Sequence, residues 1–76
     1  MSKLLPKRIR ERREAADLTI SAAAERAGIH RVAWSDLEAG RKANPTLNTL
    51  EKVAGALGVT LAELFVDADG EESVTL

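Results

Sequence analysis

An all-α bundle of five short helices is the fold that these 76 residues predict, on three observations. Apolar residues recur at helical spacing, most plainly at Leu47, Leu50, Val53, Ala54 and Leu57. Glycines 28, 40 and 58 stand where such segments run out, the place where a helix closes on a residue of positive φ. Thr19 and Thr60 precede two of the segments, and their hydroxyls can accept from first-turn amides. A chain this long holds one domain and buries only roughly 60% of its unfolded surface, so the core is small. It has no cysteine, no metal-ligand cluster and one histidine, so neither disulfides nor zinc staple it, and packing, with or without dimerisation, must supply the stability.

The first helix is predicted from Pro6, well placed at a first helical position, to Ala16, with Leu5, Ile9 and the stems of Arg12 and Arg13 at helical spacing. Leu18 then drops into the core. The second helix starts behind Thr19 and stops at Ala27, and Gly28 to His30 turn the chain. A third runs from Arg31 to Ala39 and closes at Gly40. These lengths are those of a helix-turn-helix, a shape that places one helix in a DNA groove. The loop from Gly40 to Pro45 is rich in turn formers and charge, and leads to a fourth helix over Leu47 to Leu57. Thr60 and Glu63 form a capping-box pattern that opens a short fifth helix through Phe65. The domain is therefore expected over residues 1–66, with 67–76 an acidic, flexible tail.

Net charge is −1, but it is unevenly placed. Residues 1–42 carry ten Lys or Arg against six Asp or Glu, a net of +4; residues 43–76 carry Lys52 against six acids, a net of −5. One end suits phosphates and the other avoids them. No segment approaches a signal peptide or a membrane span of about eighteen apolar residues, so a cytoplasmic location is expected. The residues also suggest no enzyme, since there is no cysteine nucleophile, no supported serine–histidine arrangement and no glycine-rich phosphate loop. No catalytic residue, cofactor, metal or small-molecule ligand is expected.

Gly28-Ile29, Trp34, Leu37-Glu38, Gly40, Pro45, Leu47, Leu50, Val53-Ala54, Ala56 to Val59 and Leu61 to Phe65 together resemble the lambda-repressor-like DNA-binding domain, the XRE or Cro/repressor helix-turn-helix family of bacterial regulators. The resemblance covers roughly residues 5 to 65 and keeps the family's order and spacing. It implies a five-helix bundle in which His30, Arg31, Val32, Ser35 and Asp36 read bases in the major groove of double-stranded DNA. Arg31 is the strongest of these, because its guanidinium fork matches O6 and N7 of guanine. Val32 suits a thymine methyl; Asp36 can accept from cytosine N4 but also repels phosphates; His30 either caps the helix or meets a phosphate. Phosphate contacts map to Arg10, Thr19, Arg41, Lys42 and Asn44.

The resemblance also implies a partly buried ion pair between Arg13 and Glu38, which ties the first helix to the reading helix. This chain departs from the pattern at four positions. Ile20 stands where a glutamine often reaches a phosphate, so one anchor is missing. Ala23 and Ala27 stand where leucine is common, and Trp34 replaces a smaller aliphatic residue, so the indole is expected to fill the volume the alanines leave rather than to stack on a base. Leu61, Leu64, Phe65 and Val66 are candidate dimer residues, with Leu61 and Leu64 equally suited to closing the monomer's core. The function expected is a sequence-specific transcriptional regulator acting as a homodimer, such as a restriction-modification controller or phage switch protein, or a fragment of a longer regulator. A protein-interaction module of antirepressor or antitoxin type, its DNA face remodelled, is the alternative.

Overall fold

The computed structural model describes residues 4–41 and 45–65. Within them four α-helices follow one another: α1 over Leu5–Ala15, α2 over Ile20–Ala27, α3 over Arg31–Ala39 and α4 over Leu47–Leu57. The predicted fifth helix is a single 3-10 turn over Ala62–Phe65. Its capping box does form: the Thr60 amide donates to Glu63 Oε1 at 2.7 Å and the Glu63 amide to Thr60 Oγ1 at 3.1 Å. Four residues closed by a Leu64 amide to Leu61 carbonyl bond stay in the tighter i to i+3 pattern typical of short pieces. The tail expected at 67–76 lies outside the described residues.

Helix ends are set locally. Thr19 and Thr46 cap α2 and α4 through their hydroxyls, accepting from the Ala22 and Thr49 amides. Gly28, at φ 70°, lets the Ile29 amide reach back to the Ala24 carbonyl at 3.0 Å, which satisfies a terminal carbonyl of α2 while turning the chain by the short path α3 requires. Helix α1 ends one residue before its predicted limit, because Asp17 takes φ 60° and the Leu18 amide closes on the Arg13 carbonyl at 3.1 Å. Aspartate is among the few residues other than glycine that visit this conformation, and its stop is harder to read in a sequence.

The core gathers Leu5 and Ile9 of α1, Ala23, Ala24 and Ala27 of α2, Trp34 and Leu37 of α3, the stripe Leu50, Val53, Ala54, Ala56 and Leu57 of α4, and Leu64 of the last turn. Helix α2 packs on α3 and α4, and α1 packs on α3 and on the 3-10 turn. Trp34 is fully buried within this cluster, among the elements whose alanines leave room for it. Arg8 is buried as well, on the α1 face shared with Leu5 and Ile9. Arginine is seldom buried so deeply, and nothing in its spacing separates it from the exposed cations beside it.

Arg12 Nη2 reaches the Glu63 carbonyl at 3.3 Å, so the last turn is held to α1 as well as by the burial of Leu64. The Thr60 amide, and after it the Thr60 hydroxyl, hold the Glu63 carboxyl below its ordinary value of 4.5. A carboxyl depressed by folding contributes stability that is complete above its unfolded pKa and is lost as the pH falls through the lower folded value. Acidification through the carboxylate range is therefore expected to loosen the last turn, seen as a lower protection factor for the Leu64 amide, its exchange rate taken relative to the unfolded rate at each pH. In Glu63→Ala this part of the pH dependence should vanish; an unchanged profile would detach the effect from this carboxyl.

Candidate nucleic-acid interface

Helix α3 has two unlike sides. Trp34 and Leu37 point into the core, and Glu38 lies beside them with its side chain 7% exposed. Arg13 on α1, 13% exposed, donates from Nε to Glu38 Oε2 at 2.6 Å and from Nη2 to Oε1 at 3.1 Å, and its Nη1 reaches the Leu18 carbonyl at 2.8 Å. The fork thus grips the carboxylate with two parallel bonds, the strong form of an arginine ion pair. The Glu38 hydrogen bonds hold the Arg13 guanidinium protonated above its ordinary range, against the opposing effect of burial. The indole Nε1 of Trp34 donates to the same Oε2 at 2.6 Å. Sequence reasoning assigned Trp34 to volume alone and missed this bond; the signal available was the i to i+4 spacing of Trp34 and Glu38 on one helix.

The opposite side of α3 faces solvent. Arg31 and Val32 are exposed in its first turn, Val32 at 54%, and Ser35 and Asp36 are half-buried one turn on. His30 caps the helix, its Nδ1 accepting from the Val32 amide at 3.1 Å. Arg31, Val32 and Ser35 line one side of an open groove of about 590 Å³ whose other side is Thr19, Ile20 and Ser21 at the start of α2. Arg13 also borders it. The Ala22 amide is taken by Thr19 Oγ1 and the Ala23 amide by the Thr19 carbonyl, which leaves the Ile20 and Ser21 amides at the positive end of α2 as donors for an anion.

The groove therefore joins the exposed edge of α3 to the open amides at the start of α2, bringing Thr19, Arg31, Val32 and Ser35 together. Ile20, the departure from the glutamine pattern, forms part of its apolar floor, and Ser21 joins it without having been anticipated. Arg10 is exposed on α1 and does not border the groove. Arg41 is bound to Asp36 rather than standing as an open loop cation. Lys42 and Asn44 lie outside the described residues. Of the dimer candidates, Leu64 is fully buried and offers no surface to a second copy, Leu61 and Phe65 are half-buried, and Val66 lies outside the described residues. None of the described helices is long and apolar enough to cross a membrane.

A glycine-hinged pair of helices, with one sealed to the core along its back and exposed along its other edge, defines a DNA-binding helix-turn-helix domain. The chain belongs to the helix-turn-helix family, whose profile matches residues 9–64. It is similar to the control protein C.MunI of a Mycoplasma species, 38% identical over 60 residues that span 79% of this chain and 80% of that one. Its fold is similar to that of the restriction-modification controller C.AhdI of Aeromonas hydrophila, with a TM-score of 0.77 and 33% identity over 80% of this chain and 91% of the other. It is similar too to SinR, a biofilm regulator of Bacillus subtilis solved in complex with DNA, with a TM-score of 0.75 and 32% identity over 79% and 95% of the two chains.

Proposed function

We propose that this DNA-binding regulator works as a homodimer on a two-fold operator, each copy setting the first turns of α3 in the major groove. The observation that carries the reading is the two-sided α3: Trp34, Leu37 and Glu38 fix its back, while Arg31, Val32 and Ser35 open onto the groove headed by α2. A single nine-residue helix touches few base pairs, and two copies on a two-fold axis double the contacts and select half-sites about one helical turn apart. Phosphates are met by the α2 start, Arg10, Lys42 and Asn44, and bases by Arg31 with Val32, Ser35, Asp36 and His30. The half-buried Leu61 and Phe65, with Val66, form the dimer contact. The likeness to the controllers C.MunI and C.AhdI and to SinR supports this reading, since the chain covers most of each.

The test is selection from a pool of random duplexes at several salt concentrations, with the mass of the complex determined. A palindrome with half-sites about ten base pairs apart, bound by two copies and weakened by salt, is the expected result. Arg31→Ala should then cost about 1–3 kcal/mol of binding and relax the preference at one base pair per half-site. An absence of salt-sensitive enrichment would instead support a protein-interaction module with a remodelled DNA face.

A further inference from the structure

Gly40, at φ 75°, turns the chain back at the end of α3, and the Arg41 amide closes on the Asp36 carbonyl at 3.0 Å. This cap brings the Arg41 side chain over the last exposed turn of the reading helix. Its Nε donates to Asp36 Oδ1 at 2.8 Å, and its Nη2 lies 3.5 Å from Ser35 Oγ. Both charged side chains remain accessible, at 62% for Arg41 and 37% for Asp36. Two residues that the family pattern assigns to different jobs, one to phosphate and one to a base, are thereby joined in one unit.

Two consequences follow from the charges. Asp36 alone would repel the phosphates that its helix must approach; with Arg41 on Oδ1 the pair is neutral, and the repulsion is removed. Arg41 in turn has its guanidinium turned toward α3, with Nε committed to the carboxylate. We propose that Arg41 is a positioning residue for base reading: it holds Asp36 so that the carboxylate accepts a hydrogen bond from an exocyclic amino group in the major groove, the N4 of cytosine or N6 of adenine, and it adds no phosphate contact of its own. Specificity at one base pair per half-site then depends on Arg41, although Arg41 touches no base.

The inference rests on the DNA-reading function proposed above, and the experiment separates the two. The full chain and its Arg41→Ala, Asp36→Ala and doubly substituted variants are compared by the same duplex selection, and the salt dependence of affinity is measured on the selected operator. Both side chains are on the surface, and the melting curves serve as the check that the variants fold. A positioning role predicts that Arg41→Ala and Asp36→Ala relax the same base pair, each by about tenfold, that the double variant is no worse than Arg41→Ala, and that the double variant, which deletes a neutral pair, keeps the parent's salt slope. A phosphate role predicts that Arg41→Ala weakens all sequences alike with the base preference kept, and that the double variant lowers the salt slope by about one, and that outcome overturns the proposal. So does an Arg41→Ala variant that selects and binds as the parent does. A parent chain that selects no sequence at all removes the DNA-reading function itself.

Discussion

Trp34→Ala is expected to abolish cooperative thermal melting. The indole is fully buried among small neighbours, with Ala23, Ala24 and Ala27 of α2 in the same cluster, and none of these can extend to fill the space. Truncating a buried tryptophan costs about 3–5 kcal/mol where the site does not collapse. The stability of a domain of this size is on the order of 5 kcal/mol, so most or all of it is removed. Trp34→Phe keeps most of the bulk and deletes the bond to Glu38 Oε2, and its expected cost is about 1 kcal/mol. Circular dichroism melting of the two variants separates volume from hydrogen bonding; an alanine variant that melts near the parent would show that the helices close around the gap.

Glu38→Ala carries the second large effect, about 3 kcal/mol of stability and a fall in Tm of more than about 10 °C. The carboxylate is the shared acceptor for Arg13 Nε and Nη2 and for the indole of Trp34, so its removal leaves a guanidinium and an indole N–H without that partner in a shielded site. Arg13 keeps only its bond to the Leu18 carbonyl. Glu38→Gln retains an acceptor for the indole and loses the charge, and its Tm is expected between those of the parent and the alanine variant. Because the pair is largely buried, the loss should persist in high salt, whereas an exposed ion pair would be screened. A melting curve that Glu38→Ala leaves unchanged would show the pair to be incidental to the fold.

The legible parts of this fold are those encoded by neighbouring residues. Helices α3 and α4 occupy the predicted Arg31–Ala39 and Leu47–Leu57, because each is closed by a glycine at φ above 70° and carries an apolar stripe that no other element needs to explain. The stop of α1 was misjudged by one residue, since an aspartate in the left-handed region leaves no compositional mark. The capping box at Thr60 was visible, but whether the turn behind it would lengthen into an α-helix was not, as both conformations share the same first bonds.

In the candidate site, the contrast between the buried and exposed sides of α3 was open to sequence reasoning through periodicity and family likeness. Three features were not. The burial of Arg8, the indole bond to Glu38 and the closure of Arg41 onto Asp36 each depend on where a long side chain goes after its backbone is placed. Periodicity places a Cβ on a face; it does not say which of several acceptors a guanidinium or indole will find.

The cap on α3 has a chemical consequence of its own. An imidazole that accepts through Nδ1 holds its ring proton on Nε2 in the neutral form, so the Val32 amide selects the tautomer of His30. The remaining ring nitrogen can give a hydrogen bond and cannot receive one. Purine N7 and O6 atoms and phosphate oxygens are all acceptors, so the backbone of α3 gives the neutral histidine the polarity that complements them.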